Sequence, residues 1–395
     1  MKKSFKDFEL SSALGAENLQ YLEKIEFESG DDDFSIDLPK VVSKNQAQPV
    51  EEVLLDFSND SQSQNASNEW QDILRKVGHR YADLNPLVTT NKDDILNCLK
   101  DYGLYANGQP SGDLLESYCG KLSIDCEFLT NGFEKEWLYN QIENKKPVSN
   151  KDKLFLLSQL AQADLFEKTL SLKYVGQKRF GLEGEESLIP CLNTIINTIS
   201  EYEYNDIIIG MAHRGRLNVM TNVCGMSTKT IFDMFAGINK NIRQTSGDVK
   251  YHLGHKSIKK IDDKELSISL ACNPSHLEFI YPVVLGQIRA KKKTSNSTGI
   301  IIHGDAAVAG QGIVMEALNL SNTPGYTVGG VIHIVVDNQI GFTTNKIDAR
   351  SSFGCADVAK FIEAPILYAN ANCPESVFHS AKIAADYKHK FKKDN

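Results

Sequence analysis

No part of the sequence is apolar over anything near the roughly 18 residues that a membrane span requires, so no transmembrane helix is predicted. Behind Met1-Lys2-Lys3 the polar residues Asp7 and Glu9 interrupt Phe5 and Phe8, which removes the apolar core of a secretory signal. The expected location is therefore a bacterial cytoplasm or the mitochondrial matrix. Paired cysteines are also missing. Cys98, Cys119, Cys126, Cys191, Cys224, Cys272, Cys355 and Cys373 never fall in a CxxC pair, which suits reduced packing thiols and argues against a structural zinc site. Nor is there a basic surplus: 43 Lys and Arg against 51 Asp and Glu give a net charge of -8, whereas a general nucleic-acid binder needs a positive face to neutralise phosphates. What is present, 41% apolar and 24% charged residues over 395 positions, suits a soluble globular chain with core enough for two or three domains.

Three textures follow one another. Residues 1–68 are acidic and polar, with Asp31-Asp32-Asp33 and the low-complexity stretch Ser61 to Asn68, and are read as a flexible segment. Leu19, Leu22, Ile25 and Phe27 could form one helix there that docks on a partner; a plain tail is the alternative. Residues 69–172 carry helical spacing, in Ile73, Val77, Tyr81 and Leu84 and again in Leu154, Leu157, Leu160 and Ala161, and read as a small helical domain. Ser149 with Asp152 three residues on resembles a helix-starting capping box.

Residues 173–395 alternate short β-branched runs with helices: Ile207 to Ile209, Ile268 to Leu270, Ile300 to Ile302 and Val331 to Val336. Unbroken apolar runs of this length predict strands buried on both faces of a parallel sheet, so the fold class is α/β. Pro374 opens a last helix, with Val377, Ala381, Ala384, Tyr387 and Phe391 on one face. Its end, Lys388, Lys390, Lys392 and Lys393, reads as a solvated C-terminus that complements the helix dipole.

The chemistry gathers in 300–345. The run Ile300 to His303 leads into Gly304-Asp305-Ala306-Ala307 and then Gly310-Gln311-Gly312 before a helical stretch. Small residues between strand and helix let backbone approach a phosphate. A second buried run ends at Asp337-Asn338-Gln339-Ile340-Gly341-Phe342, with Asn338 standing 33 residues after Asp305. Strand ends are where open α/β sheets bind ligands, and one carboxylate, one amide oxygen and one carbonyl suffice for a magnesium ion that keeps phosphate oxygens and water. The plainer alternative makes Asp305 a helix cap and Asn338 a turn residue.

This pairing resembles the thiamine diphosphate motif of 2-oxoglutarate dehydrogenase first components. The resemblance extends to Lys178-Arg179-Phe180-Gly181-Leu182-Glu183-Gly184, Ala212-His213-Arg214-Gly215-Arg216-Leu217-Asn218-Val219, Gly247-Asp248-Val249-Lys250-Tyr251-His252-Leu253-Gly254 and Asn273-Pro274-Ser275-His276-Leu277-Glu278. It runs from about Asp152 to the end, and more weakly through 10–150. Two positions depart from the wider motif: Ala306 replaces a glycine, as is usual in this subfamily, and Asp337 replaces an asparagine and adds a charge beside the metal.

The resemblance implies a thiamine diphosphate-binding fold. It implies magnesium held by Asp305, Asn338 and the carbonyl of Ile340, cofactor contacts from Arg214, Ser275, Leu277, Ala306 and Ala307, and His213 and His252 lining the substrate site. Arg214 or Arg216 could instead be a buried ion-pair partner, His303 and His333 read as core residues, and His276 is left between the two readings. The implied reaction is oxidative decarboxylation of 2-oxoglutarate, with succinyl transfer to a lipoyl group on a succinyltransferase partner in the tricarboxylic acid cycle, by an enzyme whose sites form between two copies.

In that family a glutamate on a further domain contacts the aminopyrimidine ring. No such domain is recognised in these residues, so a truncated or split polypeptide, holding the diphosphate end and inactive alone, is expected. The alternatives are 2-oxoadipate as substrate, a carboligating 2-oxo acid decarboxylase, or a non-catalytic assembly fragment.

Overall fold

The computed structural model describes residues 62–88, 91–101, 108–238, 250–292 and 294–395. Expectations for 1–61, including the docking helix at Leu19 to Phe27, and for Gly247 to Val249 lie outside the described residues. The first helix, α1 (Gln62–Val77), begins inside the low-complexity stretch expected to be flexible. It is anchored through the buried Trp70 and Leu74. After it come α2 (Lys92–Asp101), α3 (Gly112–Cys119), a short strand β1 (Leu122–Asp125), α4 (Gly132–Glu143) and α5 (Asn150–Lys173). Side-chain caps fix three of these starts: Ser111 accepts from the Leu114 amide, Asn131 from those of Phe133 and Glu134, and Ser149 from that of Asp152. Leu99, Leu115, Leu138 and Ile142 complete the core of this segment.

The remaining elements are α6 (Leu188–Ser200), β2 (Asp206–Met211), α7 (Arg216–Asn222), α8 (Thr228–Phe235), β3 (His255–Ile261), β4 (Lys264–Leu270), α9 (Ile280–Lys291), β5 (Ser297–Gly304), α10 (Asp305–Gly310), α11 (Gly312–Leu320), β6 (Ile332–Val336), α12 (Lys346–Ala349), β7 (Ile366–Ala369) and α13 (Pro374–Phe391). Five strands form one sheet in the order β3-β4-β2-β5-β6. Pairs β4-β2, β2-β5 and β5-β6 are parallel, and β3 is an antiparallel edge. The apolar runs behave as expected of strands covered twice. Ile207, Ile209 and Met211 face one layer, with α5, α6, α7 and α13, while Ile208 and Ile301 face the other, with α9 and α11. At Gly299 a side chain is excluded by packing, since a Cβ there would lie 2.6 Å from Ile288 of α9 and 2.9 Å from Val331.

α13 joins the two cores. Its Ala381 and Ala385 pack on the sheet layer, while Ile383 and Tyr387 enter the helical cluster. A second ribbon joins them too, because β1 pairs antiparallel with β7. One expectation fails here. Lys388 is 2% exposed rather than solvated, because this side of the last turn of α13 faces Tyr204 inside the protein. No helix among the described residues is long and apolar enough to cross a membrane.

Candidate functional site

The strand order places a crevice at the C-terminal ends of β2 and β5. The chain leaves β2 toward β4 on one side and leaves β5 toward β6 on the other, so the loops after these neighbouring strands diverge. His213 and Arg214 follow β2, Ser275 and Leu277 follow β4, Asp305 to Ala307 open α10 after β5, and Asn338 and Ile340 follow β6. These residues thus lie at one edge of the sheet.

The loop 212–215 rests on the string 178–184. The Gly215 amide donates to Phe180 O at 2.8 Å, and Gly215 has φ 72. A side chain there would also meet Leu182 at 2.6 Å, so glycine is required by backbone and by space alike. Arg214 spends one donor on Gly181 O at 3.3 Å and is otherwise exposed. Arg216 points the other way, into the protein. Its Nε and NH2 donate to Leu253 O at 3.0 and 2.7 Å, its NH1 to Met211 O at 3.0 Å, and NH2 also to Ala271 O. It makes no ion pair with a carboxylate among the described residues, so the ion-pair alternative does not describe it. Instead it gathers the carbonyls at the ends of β2, of β4 and of the turn that carries His252.

That gathering brings His213 and His252 together, with their Nε2 atoms 3.0 Å apart and Ser275 Oγ 3.3 Å from His252 Nε2. Burial first, then His252, Arg216 and Lys178, hold the His213 imidazole below its usual pKa. His213 is therefore neutral at pH 7, and one Nε2 of the pair can donate to the other. His276 sits apart, exposed, its ring edge-on to Phe279 at 5.6 Å.

Across the crevice Asp305 is 4% exposed at the start of α10. Burial, and then Asp337 within hydrogen-bonding reach, push its carboxyl up; the Ala306 amide and Arg350 oppose them. Arg350 NH1 stands 3.9 Å from Asp305 Oδ2. The loop 337–342 is tightly folded: the Gln339 amide donates to Asp337 Oδ1 at 3.2 Å, the Ile340 amide to Asn338 Oδ1 at 3.0 Å, and Gln339 and Phe342 take φ 60 and 57. Left-handed backbone at two non-glycine residues in six costs energy, and such strain collects where a loop has a job to present. Glu185 completes the group. Burial raises its carboxyl, Asn338 and Arg214 oppose this, and Asp305 adds to it, while its Oε2 has no hydrogen-bond partner among the described residues.

Asp337 does add its charge beside Asp305, as its place next to Asn338 suggested, whereas Glu185 and Arg350 were not legible as site features. Glu185 abuts the string 178–184 and Arg350 follows the loop after β6, but no spacing rule marks either.

The residues present fit a diphosphate with a hard divalent cation. Glu185, Asp305, Asp337 and Asn338 offer only oxygen donors, and a Glu185 oxygen is orphaned beside them. Ala306 and Ala307 leave the floor low: even a Cβ added at Gly341 would come no nearer than 3.5 Å to Thr344 and 3.6 Å to Ala306. Arg214 supplies a free guanidinium edge. Among the described residues no group of three or more His, Cys, Asp or Glu side chains is arranged to hold a metal by itself, so a cation here needs the amide, a carbonyl and ligand oxygens as well.

Comparison with known proteins gives the same direction. The family model described as dehydrogenase E1 component matches residues 159–395, more than half of the chain. The 2-oxoglutarate dehydrogenase E1 component of Haemophilus influenzae is 44% identical over 297 residues, covering 73% of this chain and 32% of that protein. The multifunctional 2-oxoglutarate metabolism enzyme of Mycolicibacterium vanbaalenii is 45% identical over 297 residues, with 72% and 24% covered. The oxoglutarate dehydrogenase of Buchnera aphidicola is 41% identical over 352 residues, with 82% and 38% covered. The chain thus spans about a quarter to two fifths of the length of these relatives.

Proposed function

This chain belongs to the dehydrogenase E1 component family, and from that premise we propose that it forms the diphosphate-binding part of a thiamine diphosphate and magnesium site in a 2-oxoglutarate dehydrogenase. The observation that carries the reading is the convergence of Asp305, Asn338 and Arg214 at the switch point of the sheet. Asp305, Asn338 and the Ile340 carbonyl would hold Mg2+, and Ser275, Leu277, Ala306 and Ala307 would line the cofactor. Bound thiamine diphosphate supplies a carbon nucleophile for the 2-oxo group and an electron sink for decarboxylation.

The chain's own residues bind, orient and move protons. Arg214 can bridge two diphosphate oxygens with its free edge. Of His213 and His252, whose Nε2 atoms stand 3.0 Å apart, one can donate to the distal carboxylate of a dioic 2-oxo acid, and a neutral His213 can accept a proton near the reacting carbon at pH 7. The same pair would accommodate 2-oxoadipate, so comparing the two acids in the complete protein decides the chain length. Transfer of the succinyl group to a lipoyl-bearing succinyltransferase in the tricarboxylic acid cycle follows from the family reading, as does pairing of two copies. Apolar side chains around the cofactor face support a covering protein surface: Phe342 is 97% and Ile347 88% exposed.

The test is thermal or urea unfolding with and without thiamine diphosphate and Mg2+. A formed site gives about 2.7 kcal/mol of stabilisation at a hundredfold excess over Kd. Asp305→Asn is expected to move the two states in opposite directions. Without ligand it relieves the repulsion by Asp337 and stabilises slightly, while the ligand-induced rise disappears. A wild-type protein indifferent to cofactor and metal would overturn the proposal in favour of a non-catalytic assembly role.

A further inference from the structure

A chain of buried polar side chains runs behind the cofactor face and takes no part in the roles above. His303 Nδ1 lies 2.5 Å from Glu278 Oε2, and His303 Nε2 lies 2.9 Å from His333 Nδ1. The two imidazoles are stacked at 5.2 Å, and Tyr281 stands edge-on to both. His333 Nε2 in turn is 3.4 Å from Asp394 Oδ1, which also accepts from the Val331 amide at 3.0 Å. Glu278 and His303 are 5% and 2% exposed. A carboxylate oxygen can only accept, so Nδ1 is the ring nitrogen that donates to Glu278.

Three elements meet in this chain. Glu278 closes the irregular segment 271–279 that carries Ser275 and Leu277, His303 sits two residues before Asp305 on β5, and His333 lies on β6, which leads to Asn338. The segment is tied at its other end, where Arg216 holds Ala271 O and the Asn273 amide donates to His252 O at 3.3 Å. Between the two ties Pro274, Ser275, His276 and Leu277 are exposed, with Ser275 touching His252 as its one side-chain hydrogen bond among the described residues. Glu278 has φ 70, a left-handed conformation unfavourable for any residue but glycine. A strained backbone with a buried carboxylate persists only if the bond it makes offsets both costs.

We propose that the Glu278–His303 bond is a positioning device: it fixes the wall bearing Ser275 and Leu277 against the strand end that presents Asp305, with His333 holding the imidazole in register. For what the wall binds, this rests on the function proposed above; for the geometry it does not. The two residues act on the site through segment 271–279, whose end Glu278 fixes.

The test uses the full chain with three changes. Glu278→Gly removes the carboxylate while easing the backbone, so folding is expected to survive. Glu278→Gln keeps an acceptor for His303 Nδ1. Glu278→Gly combined with His303→Leu removes both partners, so that neither is left orphaned, and serves if the single glycine variant fails to fold. Calorimetric titration with thiamine diphosphate and Mg2+ is expected to show about tenfold weaker binding for the glycine variants and recovery in the glutamine variant. Amide exchange without ligand is expected to quicken about tenfold at 275–277 in the glycine variants alone, the mark of local opening rather than global loss of stability. Wild-type exchange and affinity in a glycine variant, or a glutamine variant as impaired as glycine, overturns the proposal. If the wild type binds no thiamine diphosphate the functional reading fails, and the exchange measurement still decides the positioning role.

Discussion

Lys388→Met is expected to stabilise the protein at pH 7 by about 4 kcal/mol, with the gain shrinking steadily toward pH 10. Lys388 donates to the Tyr204 hydroxyl at 2.8 Å and lies 4.2 Å above its ring, while Lys392 reaches the same oxygen at 3.2 Å. Burial above all, then Lys392 and Lys292, draw the Lys388 ammonium down from 10.5 to about 7 against the pull of Asp394. Its pKa in the folded state is thus below that in the unfolded state. As pH falls from about 10.5 the unfolded chain takes up a proton that the folded one refuses, so stability falls through this window and levels off below about pH 7. The whole linkage amounts to roughly 5 kcal/mol. Methionine escapes that penalty but gives up the hydrogen bond to Tyr204, worth roughly 1 kcal/mol; the cation–π contact is lost in any case as the amine becomes neutral. Urea midpoints of both proteins at pH 7, 8, 9 and 10 measure the effect; parallel profiles would show that Lys388 remains charged where it is.

Arg216→Met is expected to cost about 3 to 5 kcal/mol, because three backbone carbonyls lose their donor where water does not enter. The side chain is 0% exposed, and although burial lowers its pKa to about 10 it stays charged at neutral pH. Arg216→Lys is the informative companion. An ammonium can reach two of the carbonyls but cannot span Met211, Leu253 and Ala271 together, so about half of the loss should return. Denaturant unfolding checks the order Arg, Lys, Met. A methionine variant within 1 kcal/mol of wild type, on the scale of a single hydrogen bond, would mean the strand ends hold themselves. Release of Leu253 O should also separate His252 from His213, visible as a change in the imidazole NMR shifts.

The central sheet was legible because buried parallel strands leave unbroken apolar runs, as in Ile207 to Ile209 and Ile300 to Ile302. β3 was not. His255–Ile261 alternates half-buried and exposed positions and carries three lysines, the pattern of an edge that need not hide its outer face. β1 and β7, four residues each, lack the length for any period to register. At the site, Asp305 and Asn338 were readable because each stands at the end of such a run. Asp337, next to Asn338, was readable as a charge beside the metal; Glu185 and Arg350 were not, because they come close only through tertiary folding. His303 and His333 were read as core residues from their place in strands, and both do sit in the sheet. Their pairing with each other and with Glu278 depends on a diagonal neighbour relation across β5 and β6 that only the register reveals. Lys388 misled for the opposite reason, since a lysine-rich end looks solvated unless the partner surface is known.

The pairing of β1 with β7 has a consequence for the order of events on the ribosome. Leu122 to Asp125 find their partners in residues emerging roughly 240 positions later. At about 5 to 20 residues per second, that is a wait on the order of 10 to 50 s. Throughout it the strand edge of β1 and the apolar surface that Ile383 and Tyr387 will cover stay open to solvent. The earliest-made part of the described chain is among the last to be finished, and its exposure during synthesis, more than its final stability, is where aggregation would begin.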